Sequence, residues 1–246
     1  MFVVSGSSEY TLIRFYEPVS CLSWAPFGGG FKQSITYFLN RTLPKDNIEP
    51  LPAIIGNLTA FIADLKIDSD QTVAMVTTVS QQYLGTAFQE NRNGFKIWAI
   101  ATVGLGNAVS PGEHTAYDEE LDQPPPAAGT VNIAVAINRN LTQNSALELS
   151  NVITLSKASV IAELNLKNRR NGKLCLATGT DCNAVCWDPN SEITLNYAGL
   201  HTRLAELTAN TVRAAMLKSL SLRLNIPYQE DQEIIVLASS RFSATR

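Results

Sequence analysis

Residues 94–103 read Gly-Phe-Lys-Ile-Trp-Ala-Ile-Ala-Thr-Val and are almost continuously apolar. A strand of this kind is typical of a sheet that is buried on both faces. Residues 129–137, with Val131, Ile133, Val135 and Ile137, predict a second strand. Residues 71–79 are rich in Val and Thr and predict a third. The sequence therefore predicts a sheet that is buried on both faces, and other segments of the chain must form the layers that pack on it.

Helical spacing of apolar residues predicts three helices, over residues 51–65, 145–164 and 202–220. A fourth helix is expected over residues 31–43, where Pro44 would stop it. Residues 10–24 predict strands around a turn at Glu17-Pro18, and residues 174–187 predict a strand interrupted by Thr178-Gly179-Thr180. The polar residues 81–93 are expected to form a connection, and 165–173 a basic turn.

The strands and helices alternate in a mixed order. We therefore expect a single α/β (mixed α+β) domain over residues 1–246, with a mixed β-sheet and helices packed on it. Residues 118–128 are acidic and contain three consecutive prolines, which predicts an exposed loop or hinge. The small, polar tail at 239–246 is expected to fray.

Composition excludes several classes of protein. The 246 residues are 45% hydrophobic and 17% charged, which is incompatible with a disordered chain. The net charge of −3 gives no reason to expect nucleic acid or an anionic membrane as a partner. The first residues lack the basic start of a signal peptide, and no stretch approaches the ~18 apolar residues of a membrane span. A cytoplasmic protein is the expectation, and the oligomeric state is open.

The cysteines and histidines do not form a metal-binding pattern. Cys182 and Cys186 have three residues between them, but no His or second Cys pair completes a zinc set. The chain has four cysteines, which we expect to be reduced and mostly small core residues. No metal site is expected.

Polar or glycine-rich clusters interrupt or end the predicted strands at four places, where functional residues of open α/β sheets are often found. Each glycine run is either a tight turn or a close approach of backbone to a ligand. The clusters are Gly28-Gly29-Gly30, residues 102–108 with 111–114 behind them, residues 129–132, and residues 177–184.

Three further residues invite a catalytic interpretation, each beside a plainer one. His201 precedes a predicted helix and is either a solvated or capping residue or a general base. Glu113 lies in an irregular stretch, where a solvated carboxylate is the default. Lys157 lies in an amphipathic helix, where an exposed lysine is the usual explanation.

The clusters taken together are more specific than any one of them. Their order and residue sequences resemble those of the adenosylcobinamide amidohydrolase family. The resemblance runs from about residue 20 to 220, and Asn40 also fits the family's pattern. The stretches that carry it are 22–30, 102–108, 129–133, 177–184 and 198–207.

The resemblance implies an amidohydrolase of cobalamin (vitamin B12) salvage. It would cleave the amide between the corrin side chain of adenosylcobinamide and aminopropanol, releasing adenosylcobyric acid and 1-amino-2-propanol. The corrinoid substrate brings its own cobalt, so no cofactor is expected. Neutral hydrogen-bonding groups suit the many amides of a corrin. The expected substrate-binding residues are Gly28, Gly29, Gly30, Asn132, Thr178, Gly179, Thr180 and Asn183.

Amide hydrolysis needs a water activator, a stabiliser of the tetrahedral oxyanion and an acid for the leaving amine. We expect His201 or Glu113 to act as base or acid, and Glu206 to orient it. Asn107 is expected to donate to the oxyanion together with backbone amides of the loops.

The sequence departs from the family at two places. Where the family usually reads Thr-Gly-Thr-Gly-Thr-Asp-Ala, residues 178–184 read Thr-Gly-Thr-Asp-Cys-Asn-Ala. An amide cannot serve as a carboxylate base, so either Asp181 supplies the acid in place of Asn183 or this step is weakened. The family usually has Glu two residues before the lysine, where this chain has Leu155.

Two other functions fit the same residues. One is a corrinoid-binding protein whose altered site no longer catalyses. The other is a self-cleaving hydrolase, in which Thr130, after Gly129, becomes an N-terminal nucleophile. The loop at 118–128 would suit such processing.

Overall fold

The structure, a computed structural model, describes residues 1–44, 50–113, 129–168, 171–226 and 231–244. The loop expected at 118–128 and His114 lie outside the described residues. The helices are α1 (Leu51–Asp64), α2 (Gln143–Glu163), α3 (Arg203–Leu224) and α4 (Asp231–Ala244). The strands are β1 (Phe2–Gly6), β2 (Tyr10–Ser23), β3 (Gly30–Thr42), β4 (Thr72–Thr77), β5 (Gly85–Glu90), β6 (Lys96–Val103), β7 (Ala108–Val109), β8 (Val131–Ile137), β9 (Asn140–Leu141), β10 (Ala177–Thr178), β11 (Cys182–Trp187) and β12 (Thr194–Leu195).

Eight of these strands form one sheet in the order β4-β3-β2-β11-β8-β6-β5, with β1 paired to β2. The β11–β8 and β3–β4 pairs are parallel. The other pairs of this sheet are antiparallel. The predicted mixed α/β fold is therefore confirmed. The short strands form two ribbons, β7 with β10 and β9 with β12.

The large sheet curls until strands far apart in its order meet. Asn132 on β8 donates to the Val76 carbonyl oxygen on β4, at 2.8 Å, although three strands separate β8 from β4. The curl creates two stacked β layers, with Ala134 and Ala136 of β8 packed among the same buried residues as Phe38 of β3 and Met75 of β4. Helices cover both outer faces, so the molecule has four layers.

Alternation of side chains along the strands explains the layers. Ile133, Val135 and Ile137 of β8 pack against α2, α3 and α4, while the alanines between them face the second β layer. On the far side, Leu39 and Ala74 pack against Leu58 and Ile62 of α1. A strand such as β8, covered on both faces, has no exposed residue over its whole length.

Helices α2 and α3 run parallel to each other. Glu148 near the start of α2 accepts a hydrogen bond from the Ala198 backbone just before α3, at 2.6 Å. Further along, Arg213 of α3 pairs with Glu163 at the end of α2 at 2.5 Å. Thr142 and Thr202 cap the two N-termini through their hydroxyls. Because of this shared direction, the start of α2 lies beside the start of α3.

The helices predicted at 51–65, 145–164 and 202–220 and the strands predicted at 71–79, 94–103 and 129–137 are confirmed, with ends moved by a few residues. Within the described residues, no helix combines the length and apolarity that a membrane span requires.

Three expectations about secondary structure are wrong. Residues 31–43 form strand β3 because the segment pairs with β2 on one side and β4 on the other, and its β-branched and aromatic residues favour that state. Residues 81–93 contain the edge strand β5, whose alternating burial pattern makes it look like a polar connection. The segment at 10–24 is one strand: register shifts between Arg14 and Cys21 accommodate Pro18 without a turn. Residues 239–244 of the tail lie in α4, which ends at Ala244.

Candidate active site

Buried amide and hydroxyl groups fill one end of the space between the two β layers. Asn132 donates to Asn40 Oδ1 at 2.9 Å, and Asn40 donates to Gln81 Oε1 at 3.2 Å and to Thr102 Oγ1 at 3.3 Å. Thr130 Oγ1 lies 3.4 Å from Asn132 Oδ1. We call these five residues the amide cluster; all are buried. They carry no charge, so their desolvation is offset by hydrogen bonds to one another and to neighbouring groups such as the Val76 carbonyl oxygen.

Strand periodicity puts the amide cluster there. Asn132 has the same parity on β8 as Ala134 and Ala136, so its side chain points between the layers. Thr102 has the parity of Ile100 on β6, and Asn40 that of Phe38 on β3. The curl of the sheet then brings together residues up to 92 positions apart in the chain.

A buried ion pair lies on the other side of β11, against the helices. Lys157 Nζ is 2.5 Å from Asp181 Oδ2, and each side chain is 7% exposed. The expectation of an exposed lysine is wrong, because Lys157 projects from the buried face of α2 towards the start of β11. Nothing in the sequence near Lys157 signals this partner.

Asp181 is saturated with hydrogen bonds. Its Oδ1 accepts from the Val131 backbone at 3.0 Å and from Thr178 Oγ1 at 2.5 Å. Its Oδ2 accepts from the Thr178 backbone at 2.9 Å as well as from Lys157. A carboxylate has about four lone-pair sites, so Asp181 has none left for a water molecule. Its geometry is that of a group that fixes the turn at 178–181, and the general-acid role expected for it gains no support.

The peptide between Gly129 and Thr130 lies between the amide cluster and this turn. Thr180 Oγ1 donates to the Gly129 carbonyl oxygen at 2.8 Å, and Thr130 Oγ1 donates to the Thr180 carbonyl oxygen. Asn107 lies against the same peptide: a Cβ on Gly129 would be 2.6 Å from Asn107 Oδ1. Gly129 also has a φ of +154°, so residue 129 must be glycine. The predicted motifs at 102–108, 129–132 and 177–184 therefore meet here.

Asn183, which stands where the resemblance leads us to expect aspartate, is held by α2. Its Oδ1 accepts from Ser150 Oγ at 3.0 Å, and its Nδ2 donates to the Ser150 carbonyl oxygen and to Thr154 Oγ1, both at 3.3 Å. The side chain is 3% exposed and fully used by these partners. Asn183 thus joins β11 to α2, one turn away from Lys157. Leu155, which stands where the resemblance leads us to expect glutamate, is exposed.

The triple-glycine loop lies at the same end of the sheet. Ser23, at the end of β2, donates to the Asn183 carbonyl oxygen at 3.0 Å, and the loop follows five residues later. A Cβ on Gly28 or Gly29 would come within 2.2 Å of a backbone oxygen, from Thr72 and Ala25 respectively. The tight-turn explanation accounts for these two glycines. A Cβ on Gly30 would meet open space, so the loop leaves room beside it.

Glu113 lies beyond the ribbon of β7 and β10. Its Oε1 accepts from the Ser110 backbone at 3.1 Å, and its Oε2 accepts from Asn168. Ser110 in turn donates to the Leu174 carbonyl oxygen. Glu113 is therefore half-buried and fixes the base of the ribbon whose tip carries Thr178.

The structure does not bring His201 and Glu206 to this place. His201 is exposed and precedes α3 at its N-terminus, whereas Ser219, sixteen residues into α3, receives a hydrogen bond from Val103 beside β8. At 1.5 Å per residue, about 24 Å of helix separates them. Glu206 does not orient His201 as expected, because both its oxygens bind Arg203, at 2.7 and 2.8 Å. The helix cap is Thr202.

All four cysteines are buried thiols. Burial, with a smaller contribution from the Asp181 charge, raises the pKa of Cys182 to about 12. The thiol beside the site is therefore neutral at physiological pH and is not a nucleophile. Among the described residues, no three His, Cys, Asp or Glu side chains lie close enough together to hold a metal ion.

Comparison with known proteins identifies the class first. The adenosylcobinamide amidohydrolase family model matches residues 3–227, nearly the whole chain. The chain belongs to this family of hydrolases.

Individual relatives are more distant. The chain is 26% identical over 204 residues to uncharacterized protein MJ1613 of Methanocaldococcus jannaschii, covering 78% of each. Among solved structures, a Burkholderia sp. beta-aminopeptidase has a TM-score of 0.48 and 12% identity, covering 95% of this chain and 86% of that one. The PH0078 protein from Pyrococcus horikoshii OT3 has a TM-score of 0.45 and 12% identity, covering 89% and 82%.

Proposed function

We propose that this chain hydrolyses the aminopropanol amide of adenosylcobinamide to adenosylcobyric acid and 1-amino-2-propanol, as a step of cobalamin salvage. Membership of the family supports the reaction. One observation supports the location: Asn107, the Gly129–Thr130 peptide and the turn at 178–181 meet at the start of β8 and β11. All three lie in stretches that carry the resemblance to the family.

Recognition of the corrinoid rests on the neutral hydrogen-bonding groups of this region. The charges of Lys157 and Asp181 are buried and paired, and the amide cluster is uncharged. Gly179 is exposed at the tip of the turn, so it presents backbone groups to a ligand. Such groups donate to and accept from the carboxamides that surround a corrin. Corrinoid cobalt enters as part of the substrate.

Stabilisation of the tetrahedral oxyanion falls to donors that are already fixed. The Asn107 amide lies against Gly129 and near Gly179, with its Nδ2 3.6 Å from the position of a Gly179 Cβ. The turn at 178–181 is held by Asp181, whose own charge is compensated by Lys157. Preorganised donors of this kind lower the barrier because they need no reorientation during reaction.

The test is incubation of the purified chain with adenosylcobinamide, followed by chromatography of the corrinoids and assay of free aminopropanol. We expect both products, and we expect activity to be retained after dialysis against EDTA, because no three His, Cys, Asp or Glu side chains among the described residues lie close enough together to hold zinc. Corrinoid recovered bound but unchanged would contradict hydrolysis and favour the non-catalytic binding protein. Loss of activity in EDTA that zinc restores would contradict the metal-free mechanism.

A further inference from the structure

We propose that the chain cleaves its own backbone between Gly129 and Thr130, and that the Thr130 hydroxyl, with the new α-amino group beside it, is the nucleophile of the enzyme. The cleavage itself does not depend on the proposed function. The use of Thr130 on a corrinoid amide does rest on it.

The first support is the way the peptide is held. Thr180 contacts it twice: its hydroxyl donates to the Gly129 carbonyl oxygen at 2.8 Å, and its carbonyl oxygen accepts from Thr130 Oγ1. A hydroxyl donor on a carbonyl oxygen polarises that carbonyl and stabilises the negative charge that attack would place on it. The Thr130 hydroxyl belongs to the residue whose nitrogen forms the bond, so attack closes a five-membered ring.

The second support is that the residues that follow the Gly129–Thr130 bond are held in place. The Thr130 carbonyl oxygen accepts from the Gly104 backbone at 2.9 Å, and the Val131 N–H donates to Asp181 at 3.0 Å. Val131 then begins β8, which is paired on both sides. A break before Thr130 would therefore leave the nucleophile anchored at the end of a buried strand.

The third support is the surroundings of the hydroxyl. Thr130 is 4% exposed, yet its neighbours are the polar side chains of the amide cluster. Gly179 and Thr180 are exposed on the other side of the peptide, which gives water a short approach. The described residues near it offer no thiolate, because Cys182 is kept neutral by its raised pKa. A hydroxyl activated by an adjacent amine fits such a site.

The chemistry balances with water as the only co-reactant. Thr130 Oγ attacks the Gly129 carbonyl carbon, the C–N bond breaks, and the hydroxyl proton passes to the departing nitrogen, which leaves an ester. Water then hydrolyses the ester to a Gly129 carboxylate and a free Thr130 hydroxyl. The new α-amino group, with a pKa near 7.7–8.0, then serves as the base for that hydroxyl on the next acyl group.

The test is the mass of the purified full-length chain, followed over time under native conditions. We expect two fragments whose masses sum to that of the intact chain plus one water, and an N-terminal sequence beginning Thr-Val-Asn. Thr130→Val, which keeps the shape but removes the hydroxyl, should stay intact, and Thr130→Ser should still cleave. Thr180→Val should slow cleavage by about 10²–10³-fold. Thr211→Val, which removes a buried hydroxyl in α3, is the matched control and should cleave normally.

A wild-type chain that stays intact, or that is cut at another bond, would overturn the proposal. Cleavage of Thr130→Val at the same rate as wild type would overturn it too, because a contaminating protease would then explain the cut. Failure of self-cleavage can be distinguished from failure of the proposed function. An intact chain that hydrolyses adenosylcobinamide refutes self-cleavage alone, and a cleaved chain that leaves the corrinoid unchanged refutes only the proposed function.

Discussion

Lys157 on α2 and Asp181 at the start of β11 form an ion pair of 2.5 Å with both side chains 7% exposed. Burying two charges is costly, so such a pair rarely adds net stability over a well-packed apolar pair. Here the carboxylate also holds Val131 and Thr178. The pair therefore fixes the positions of the two segments that meet at the candidate site.

Lys157→Met should lower the free energy of unfolding by about 3–5 kcal/mol, because it leaves the Asp181 charge buried without its partner. Urea titration of the purified variant measures this. The matched control is Lys96→Met, whose pair with Glu90 is 3.8 Å long and roughly two-fifths exposed. An exposed pair contributes about 0–1 kcal/mol. Equal effects of the two substitutions would contradict the special place of Lys157.

Asn132→Leu should destabilise the protein by about 1–3 kcal/mol for each acceptor that it leaves unpaired. The acceptors are Asn40 Oδ1 and the Val76 carbonyl oxygen. Thermal and urea unfolding measure the loss. Asn140→Leu is the control, since among the described residues its amide bonds Thr194, in an exposed ribbon beyond the opposite end of β8. An Asn132 variant as stable as the control would mean that the amide cluster does not hold the two β layers together.

Cys182 should resist alkylation by iodoacetamide in the native protein at pH 8 and react only after unfolding, as adduct masses would show. Its folded-state pKa of about 12 lies above the ordinary value of 9.0. The unfolded chain therefore loses its proton first. The stability that the protonated Cys182 thiol contributes is fully present below pH 9.0, and it falls as the pH rises towards 12.

Cys182→Ala isolates that effect, because it removes the titrating group. The wild type should lose free energy of unfolding relative to this variant between pH 9 and 12. A constant difference across that range would show that the thiol is not shifted by burial.

The sequence predicts the core of this fold well, because the signals there are local. Residues 94–103 and 129–137 are apolar runs whose burial follows from composition, and α2 and α3 follow from helical spacing. Strand β3 escapes prediction because its state is decided by two partners distant in sequence. Edge strand β5 escapes because only half of its residues face the core.

The candidate site, like the fold, is predictable from the sequence only where the signals are local. The polar clusters at 102–108, 129–132 and 177–184 interrupt buried strands, so the sequence marks them, and the structure brings them together. The partnership of Lys157 with Asp181 depends on the register of a helix against a sheet, which no local pattern reveals. His201 attracts attention as a rare histidine, but its distance from the clusters follows from the parallel course of α2 and α3.

The location of the chemistry is the central claim, and turnover of two variants at saturating adenosylcobinamide tests it most directly. Asn107→Ala removes an amide that lies against Gly129, and it should lower kcat by about 10²–10³-fold, the effect of losing one oxyanion donor. His201→Ala changes an exposed residue about 24 Å of helix away, and it should leave kcat within about twofold of wild type. A variant lacking His201 that binds adenosylcobinamide normally but has lost turnover, beside an active Asn107→Ala, would contradict the account.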